Sequence, residues 1–243
     1  MKILPEIEII DLALYIKKEK TLVVSDLHIG YEEALNKKGI LIPRFQFNDI
    51  LEKFEKIFKK VNVNRIVFTG DLKHEFGTIS TQEWRDILQL FDFLKDKEIV
   101  IIKGNHDKTI KYLAEKRDLK IVDFYNINSI CILHGDVILT NKEMKNAETI
   151  IIGHEHPVVS FREKSNEKFK CFMSGRWNGK NLIVMSSMNP IVMGSDITRE
   201  SFLSPFLHNI DNFDIYIIED RVYNFGKLEK MKKLQSLLHN RYI

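Results

Sequence analysis

Five short strings in this sequence carry groups that bind metal ions: Asp26-Leu27-His28, Gly70-Asp71, Gly104-Asn105-His106-Asp107, His134, and Gly153-His154-Glu155-His156. Together they offer carboxylate, amide and imidazole donors, enough for two ions side by side. Mixed oxygen and nitrogen donors of this kind suit Mn²⁺, Fe²⁺, Zn²⁺ and similar ions. Two adjacent ions serve one reaction especially well: in-line displacement at phosphorus, where both the attacking and the leaving oxygen need stabilising. Hydrolysis of a phosphate ester is therefore the chemistry these residues point to.

The strings differ in what each contributes. Asp26 and His28 stand two apart at a strand end, so both side chains can leave the sheet on one side. Asp71 has two carboxylate oxygens and can bridge two ions, and Gly70 before it lets the backbone come close without a Cβ. Asn105 supplies a neutral amide oxygen. His106 follows it and would lie near a bound phosphate. Asp107 is expected to hold the His106 imidazole in one tautomer and raise its pKa, the arrangement a general acid needs. It could also cap a following helix. His154 and His156 form a His-x-His pair. His134, taken alone, reads more readily as a structural histidine than as a ligand. The chain has 8 histidines, and His28, His106, His134, His154 and His156 all fall in the strings, which argues against chance placement. His208 and His239 read as surface or packing residues.

Each string ends or follows an apolar, β-branched run. Strands are expected within residues 3–24 and at Leu22–Ser25, Arg65–Phe68, Ile99–Ile102, Ser129–Leu133 and Thr149–Ile152. Helices are expected between them. Phe47, Ile50, Leu51, Phe54, Ile57, Phe58 and Val61 share one face of a helix over residues 45–61. Ser80, with Glu83 three residues on, is a capping box for a helix running to Leu94. Shorter helices are expected over 31–38, 107–117 and 228–238. Repeated strand, ligand and helix put the strings in the loops outside the carboxyl ends of strands, where α/β proteins build their sites. Strands at 158–161, 168–173, 182–187, 213–218 and 221–224 imply a second sheet. The expected fold is α/β, a four-layer α/β/β/α sandwich of two mixed sheets, in one domain over residues 1–243.

Bulk properties bound the function classes. The chain has 243 residues with 29% charged and 44% hydrophobic, enough to bury a core without disulfides. No apolar run reaches the ~18 residues of a membrane span. Glu6, Glu8 and Asp11 interrupt any signal-peptide core, so a cytoplasmic location is expected. A net charge of +3 is too small to argue for nucleic acid by itself. Cys131 and Cys171 sit in strand-like runs without CxxC spacing and read as reduced, buried thiols. Scarce glutamine beside abundant Lys, Glu and Ile leans towards a thermophilic source.

In this order the strings resemble the calcineurin-like metallophosphoesterase superfamily, whose pattern D-x-H, G-D, G-N-H-D/E, H, G-H-x-H is matched without substitution over about residues 20–190. The resemblance implies one metal on Asp26, His28, Asp71 and His156, and a second on Asp71, Asn105, His134 and His154. It implies His106 as the acid or phosphate contact, with Asp107 orienting it, and in-line attack by a metal-bound hydroxide. It implies two divalent ions, most often Mn²⁺, with Fe, Ni, Zn or Co as alternatives. Gly70-Asp71-Leu72-Lys73-His74-Glu75 is similar to the G-D-L-F-H-E string of SbcD-type DNA repair nucleases. Ser25–Glu32 and Gly39–Arg44 resemble the small SbcD-related archaeal and DNA-ligase-associated phosphoesterases. That branch implies a phosphodiesterase or nuclease on DNA or RNA, with a helicase or ligase as partner and no membrane. Lys73 departs from the aromatic residue of the large nucleases, and the stretch after His156 is short for their DNA-capping domain. Arg44, Lys73 and His74 are the expected substrate contacts. A phosphomonoesterase or cyclic-nucleotide phosphodiesterase uses the same ligands, and a non-catalytic scaffold of the same fold is the reading from outside enzymology.

Overall fold

The structure, a computed structural model, describes residues 1–161, 167–192, 194–199 and 201–239, the last six of these as backbone only. Short runs of β-branched residues form two sheets. The first holds β1 (Lys2–Leu4), β2 (Ile7–Ile10), β3 (Ala13–Ile16), β4 (Thr21–Val24), β5 (Arg65–Phe68), β6 (Glu98–Ile102) and β7 (Lys120–Val122), in that spatial order. β1 to β4 is an antiparallel meander, and β4 to β7 run parallel. The second sheet is built from β8 (Phe124–Ile127), β9 (Ile130–Leu133), β10 (Thr149–Ile152), β12 (Phe169–Trp177), β13 (Lys180–Val184), β14 (Asp214–Ile218) and β15 (Val222–Lys227), with β11 (Val158–Val159) paired to β12. Within it β9, β10 and β13 run parallel.

Three apolar layers make this a four-layer sandwich of two mixed sheets. Leu14, Val23, Val67 and Val100 meet Ile132, Ile151, Phe172 and Ile183 between the sheets. Helix α1 (Tyr31–Lys37) follows the first of the five strings, and the other face of the first sheet is covered by α2 (Gln46–Phe58) and α3 (Thr81–Phe93), through Ile50, Phe54, Ile57, Ile87 and Leu90. The other face of the second sheet takes Phe206, Phe213, and Met144 and Leu228 of α5 (Lys142–Asn146) and α6 (Leu228–His239). The Ser80–Glu83 capping box is present at the start of α3. Among the described residues no helix is long and apolar enough to cross a membrane.

Several local expectations change. The helix expected over 107–117 is only α4 (Lys111–Ala114) followed by a 3₁₀ turn at Glu115–Arg117. β7, β8 and α5 were not anticipated: three- to five-residue elements are too short to show a period. β12 and β15 run longer than expected, to Trp177 and Lys227, and β13 ends sooner, at Val184. Cys131 and Cys171 are buried free thiols, and burial raises the pKa of both. His208 is exposed, and the side chain of His239 lies outside the described residues.

Candidate metal centre

The five strings leave the carboxyl ends of β4, β5, β6, β9 and β10, all parallel strands. Those ends meet at one edge of the sandwich, so residues far apart in sequence converge. Asp26, His28 and His156 form one group of donors, and Asp71, His134 and His154 form another. In the first, His156 Nε2 lies 3.3 Å from Asp26 Oδ1 and 3.3 Å from His28 Nε2. In the second, His134 Nε2 lies 2.9 Å from Asn105 Oδ1 and 3.2 Å from His154 Nδ1. Asp71 joins them: its Oδ2 is 3.6 Å from His28 Nε2 and 3.5 Å from His134 Nε2. The structure thus brings together all seven residues that the resemblance implies as ligands.

The donor chemistry fits a pair of divalent ions. With its Nδ1 proton on the Thr69 carbonyl, a neutral His134 presents the lone pair of Nε2 to the oxygen of Asn105 at 2.9 Å, and a shared cation reconciles that contact. Burial favours the neutral form of His28 and His154, the form that ligates metal. It pushes His28 well below the ordinary histidine value and His154 down to about 4. Burial lowers His134 too, but Asp71 and Asp26 outweigh it and the ring is raised. The two carboxyls separate: burial raises Asp71 to about 7, whereas for Asp26 the charges of His156, His134 and His28 overcome burial and hold it well below the usual range.

The tautomers are set by backbone carbonyls. His134 Nδ1 lies 2.9 Å from the Thr69 carbonyl, leaving Nε2 to the centre. His106 Nδ1 bonds the His74 carbonyl, and its Nε2 lies 3.9 Å from Asp71 Oδ2. The expected orienting contact from Asp107 to the His106 ring is not the one the structure has. The Asp107 carboxylate is fully buried and accepts from the backbone N–H groups of Leu72, Lys73 and Gly104, so it braces the Asp71 loop against the Asn105 loop. That same engagement removes its carboxylate as a helix cap, and α4, which starts at Lys111, has no side-chain cap.

The three expected substrate contacts fare differently. His74 joins the centre: with His28 and His106 it forms a third cluster of imidazoles, and its ring lies 4.7 Å from Tyr31. Its Nδ1 is buried without a hydrogen-bond partner, and burial lowers its pKa to about 4. Lys73 is a correction: it is wholly buried, with its ammonium turned inward onto the Glu75 carbonyl among Glu83, Asp107 and Asp71. Arg44 is exposed on the loop entering α2, two residues before Gln46, whose amide bonds the Leu27 and His28 carbonyls.

The ligand loops rest on buried groups that sequence spacing did not reveal. Glu32 accepts from the N–H of Phe45 and Gln46, and Glu155 from the N–H of Leu203 and Ser204. Glu83 caps α3 and also accepts from His74 and Glu75. Behind Asp26, Ser187 Oγ donates to its carbonyl and Asn189 Nδ2 to that of Leu27, both at 2.7 Å. The Lys170 ammonium bonds the Ser187 and Asn189 carbonyls in turn. Gly70 has φ +98°, and a Cβ there would lie 2.5 Å from His134 Nδ1 and 2.8 Å from Gly104 Cα.

Comparison with known proteins agrees with this geometry. Residues 19–218 match the family profile of calcineurin-like phosphoesterases. A crystal structure of the nuclease MPE from Pseudomonas putida is similar at 17% identity and a TM-score of 0.63, covering 88% of this chain and 92% of that one. A protein of unknown function from Aquifex aeolicus, AQ665, aligns at 22% identity over 56% of this chain and 78% of its own, with a TM-score of 0.37. No curated protein matches the chain significantly.

Proposed function

This chain belongs to the calcineurin-like phosphoesterase family and is a metal-dependent phosphoester hydrolase; we propose that it is a phosphodiesterase of nucleic acid, a nuclease in kind. The observation that carries the reading is Asp71, whose Oδ2 stands between the two donor groups with His106 Nε2 3.9 Å from the same oxygen. We assign one ion to Asp26, His28, Asp71 and His156, and the other to Asp71, Asn105, His134 and His154. Four imidazoles, two carboxylates and one amide favour Mn²⁺ or Fe²⁺ over Ca²⁺ or Mg²⁺, and Mn²⁺ is the ion proposed. When bound, the pair polarises the phosphoryl oxygens and lowers the pKa of a water.

The chain's own residues do the rest. Asp71 fixes the spacing of the two ligand sets. His106 donates through Nδ1 to the His74 carbonyl, so its Nε2 is the nitrogen that presents a proton to the leaving oxygen. Burial lowers the pKa of that ring against the raising effect of the carbonyl, the reverse of the expected rise, so the proton on Nε2 is carried only by the cationic form of the ring. His74 stacks on His106 with centroids 5.4 Å apart and narrows the space on that side to the leaving group. Phe76 lies over His106 at 3.6 Å between centroids and is 57% exposed, a platform on which a base can stack. The shared fold with a protein named as a nuclease supports the same substrate class.

Activity with Mn²⁺ on single-stranded oligonucleotides, beside p-nitrophenyl phosphate and bis(p-nitrophenyl) phosphate, tests the reading. Diester cleavage is expected; turnover of the monoester alone would overturn it. His106→Ala should keep both ions and lose activity by about 10²-fold or more. Loss of metal in that variant would make His106 a ligand instead.

A further inference from the structure

A cavity of about 310 Å³ opens beside the second donor group and shares Asn105 and His134 with it. Its size is at the lower end of the roughly 300–1,000 Å³ of small-molecule sites. The two flanks of the centre differ. On the His28 side, His106 and His74 pack ring to ring, with centroids 4.8 and 5.5 Å from that of His28. On the Asn105–His134 side there is this open space instead.

Its lining is mixed in a particular way. Leu133, Val137 and Leu139 give an apolar wall, and Val137 is 53% exposed although it borders a charged centre. Lys103 and Lys108 stand at the rim, both exposed, and among the described residues neither is in an ion pair. Asp136 adds an acceptor. A site for a bare anion has no use for the apolar wall, and a site for an apolar ligand has no use for two ammonium groups. A nucleoside with its next phosphate needs both: a π-face or sugar edge against aliphatic carbon, and cations for the backbone. Asp136 can accept from an exocyclic amine of a base.

We propose that this cavity seats the nucleoside on one side of the scissile phosphate, with Lys103 and Lys108 on the following phosphate. The assignment rests on the nuclease reading above and adds to it a second substituent site, which a monoester would leave empty. A single-strand phosphate contact changes the slope of log affinity against log salt by roughly 0.7.

The test compares an oligonucleotide with bis(p-nitrophenyl) phosphate, the small diester that lacks a backbone. In Lys103→Ala/Lys108→Ala the salt slope of kcat/KM for the oligonucleotide should flatten by about 0.7, the value for the one phosphate both lysines face. Val137→Asp, at an exposed position that folding tolerates, should lower the oligonucleotide to small-diester ratio of kcat/KM at least tenfold. Wild-type enzyme that cleaves the small diester but no oligonucleotide would overturn the nuclease reading itself. Wild-type enzyme that cleaves the oligonucleotide, with variants that keep both the slope and the ratio, would overturn the cavity assignment alone.

Discussion

Asp107→Asn separates two roles for one carboxylate. The structure makes Asp107 a brace: Leu72 N lies 3.1 and 3.2 Å from its two oxygens, Gly104 N 3.1 Å from Oδ2 and Lys73 N 3.3 Å from Oδ1. An asparagine keeps one acceptor oxygen and turns an NH₂ group towards backbone donors. At least one of those N–H groups is then left unpaired in a site with no solvent access. Each hydrogen bond to a charged group contributes about 1.5–3 kcal/mol, and a buried donor without a partner costs about 1–3 kcal/mol. The expected loss is about 2–4 kcal/mol, which for a domain of this size is a fall in Tm of about 5–15 °C. The Asp71 and Asn105 loops are the ones released, so metal affinity should fall as well. Thermal unfolding and metal content, measured beside activity, decide the matter. A variant with wild-type Tm and full metal but a depressed, pH-shifted kcat would refute the brace and restore Asp107 as the orienter of His106.

Further outcomes follow from the same centre. Asp71 is raised to about 7, so its contribution to metal-free stability is present at low pH and is lost as pH rises through that value. His74 and His154, lowered to about 4, act oppositely: their contribution is lost as pH falls from the ordinary histidine value towards 4. Metal-free protein should therefore be most stable between those limits. Metal binding should expel the Asp71 proton below pH 7, with apparent affinity climbing up to tenfold per pH unit and then levelling; calorimetry in two buffers of different ionisation enthalpy reads the proton. Gly70→Ala should remove metal from the second site, because its Cβ meets His134 and Gly104; full metal occupancy would contradict this. Glu83→Gln should cost more stability than Ser80→Ala, since it weakens His74 and Glu75 N–H bonds besides the cap, which alone contributes about 1 kcal/mol. Phe54→Ala should cost about 3–5 kcal/mol in denaturant unfolding while leaving metal stoichiometry intact, because Phe54 is fully buried in the layer between helices and first sheet.

The donor residues that converge at the centre were legible because motif and element coincide. A carboxylate or imidazole directly after a β-branched run can only emerge at a strand end, and five such ends had one chemistry between them. The α2 stripe and the Ser80–Glu83 box were legible for the same reason: each is a local pattern with one geometry. The braces were not. Glu32, Glu155 and Asp107 spend their carboxylates on backbone N–H groups 13 to 49 residues away, Gly104 N–H apart, and no spacing announces such a partner. Lys73 misled for a related reason. Its position beside Asp71 suggests substrate, but four carboxylates around the turn hold its ammonium inside.

The backbone at the centre explains why so much of the molecule is spent on bracing. Asp26, His28, Asp71, His154 and His156 all have φ between +42° and +65°. Left-handed backbone costs a residue with a Cβ about 1 kcal/mol, with Asp and His among those that tolerate it best. Here it turns the chain sharply off each strand, which is how two residues apart by one position, Asp26 and His28 or His154 and His156, both face the centre. Such a run of turns persists only where neighbours over-determine it. The neighbours come from both sheets: Ser187 and Asn189 follow β13 yet hold the Asp26 and Leu27 carbonyls that follow β4. Lys170, from β12, holds those two in turn. The second sheet therefore does more than supply His134, His154 and His156. It also fixes the left-handed backbone of Asp26 and the Leu27 carbonyl beside it, so the two donor groups depend on both halves of the sandwich.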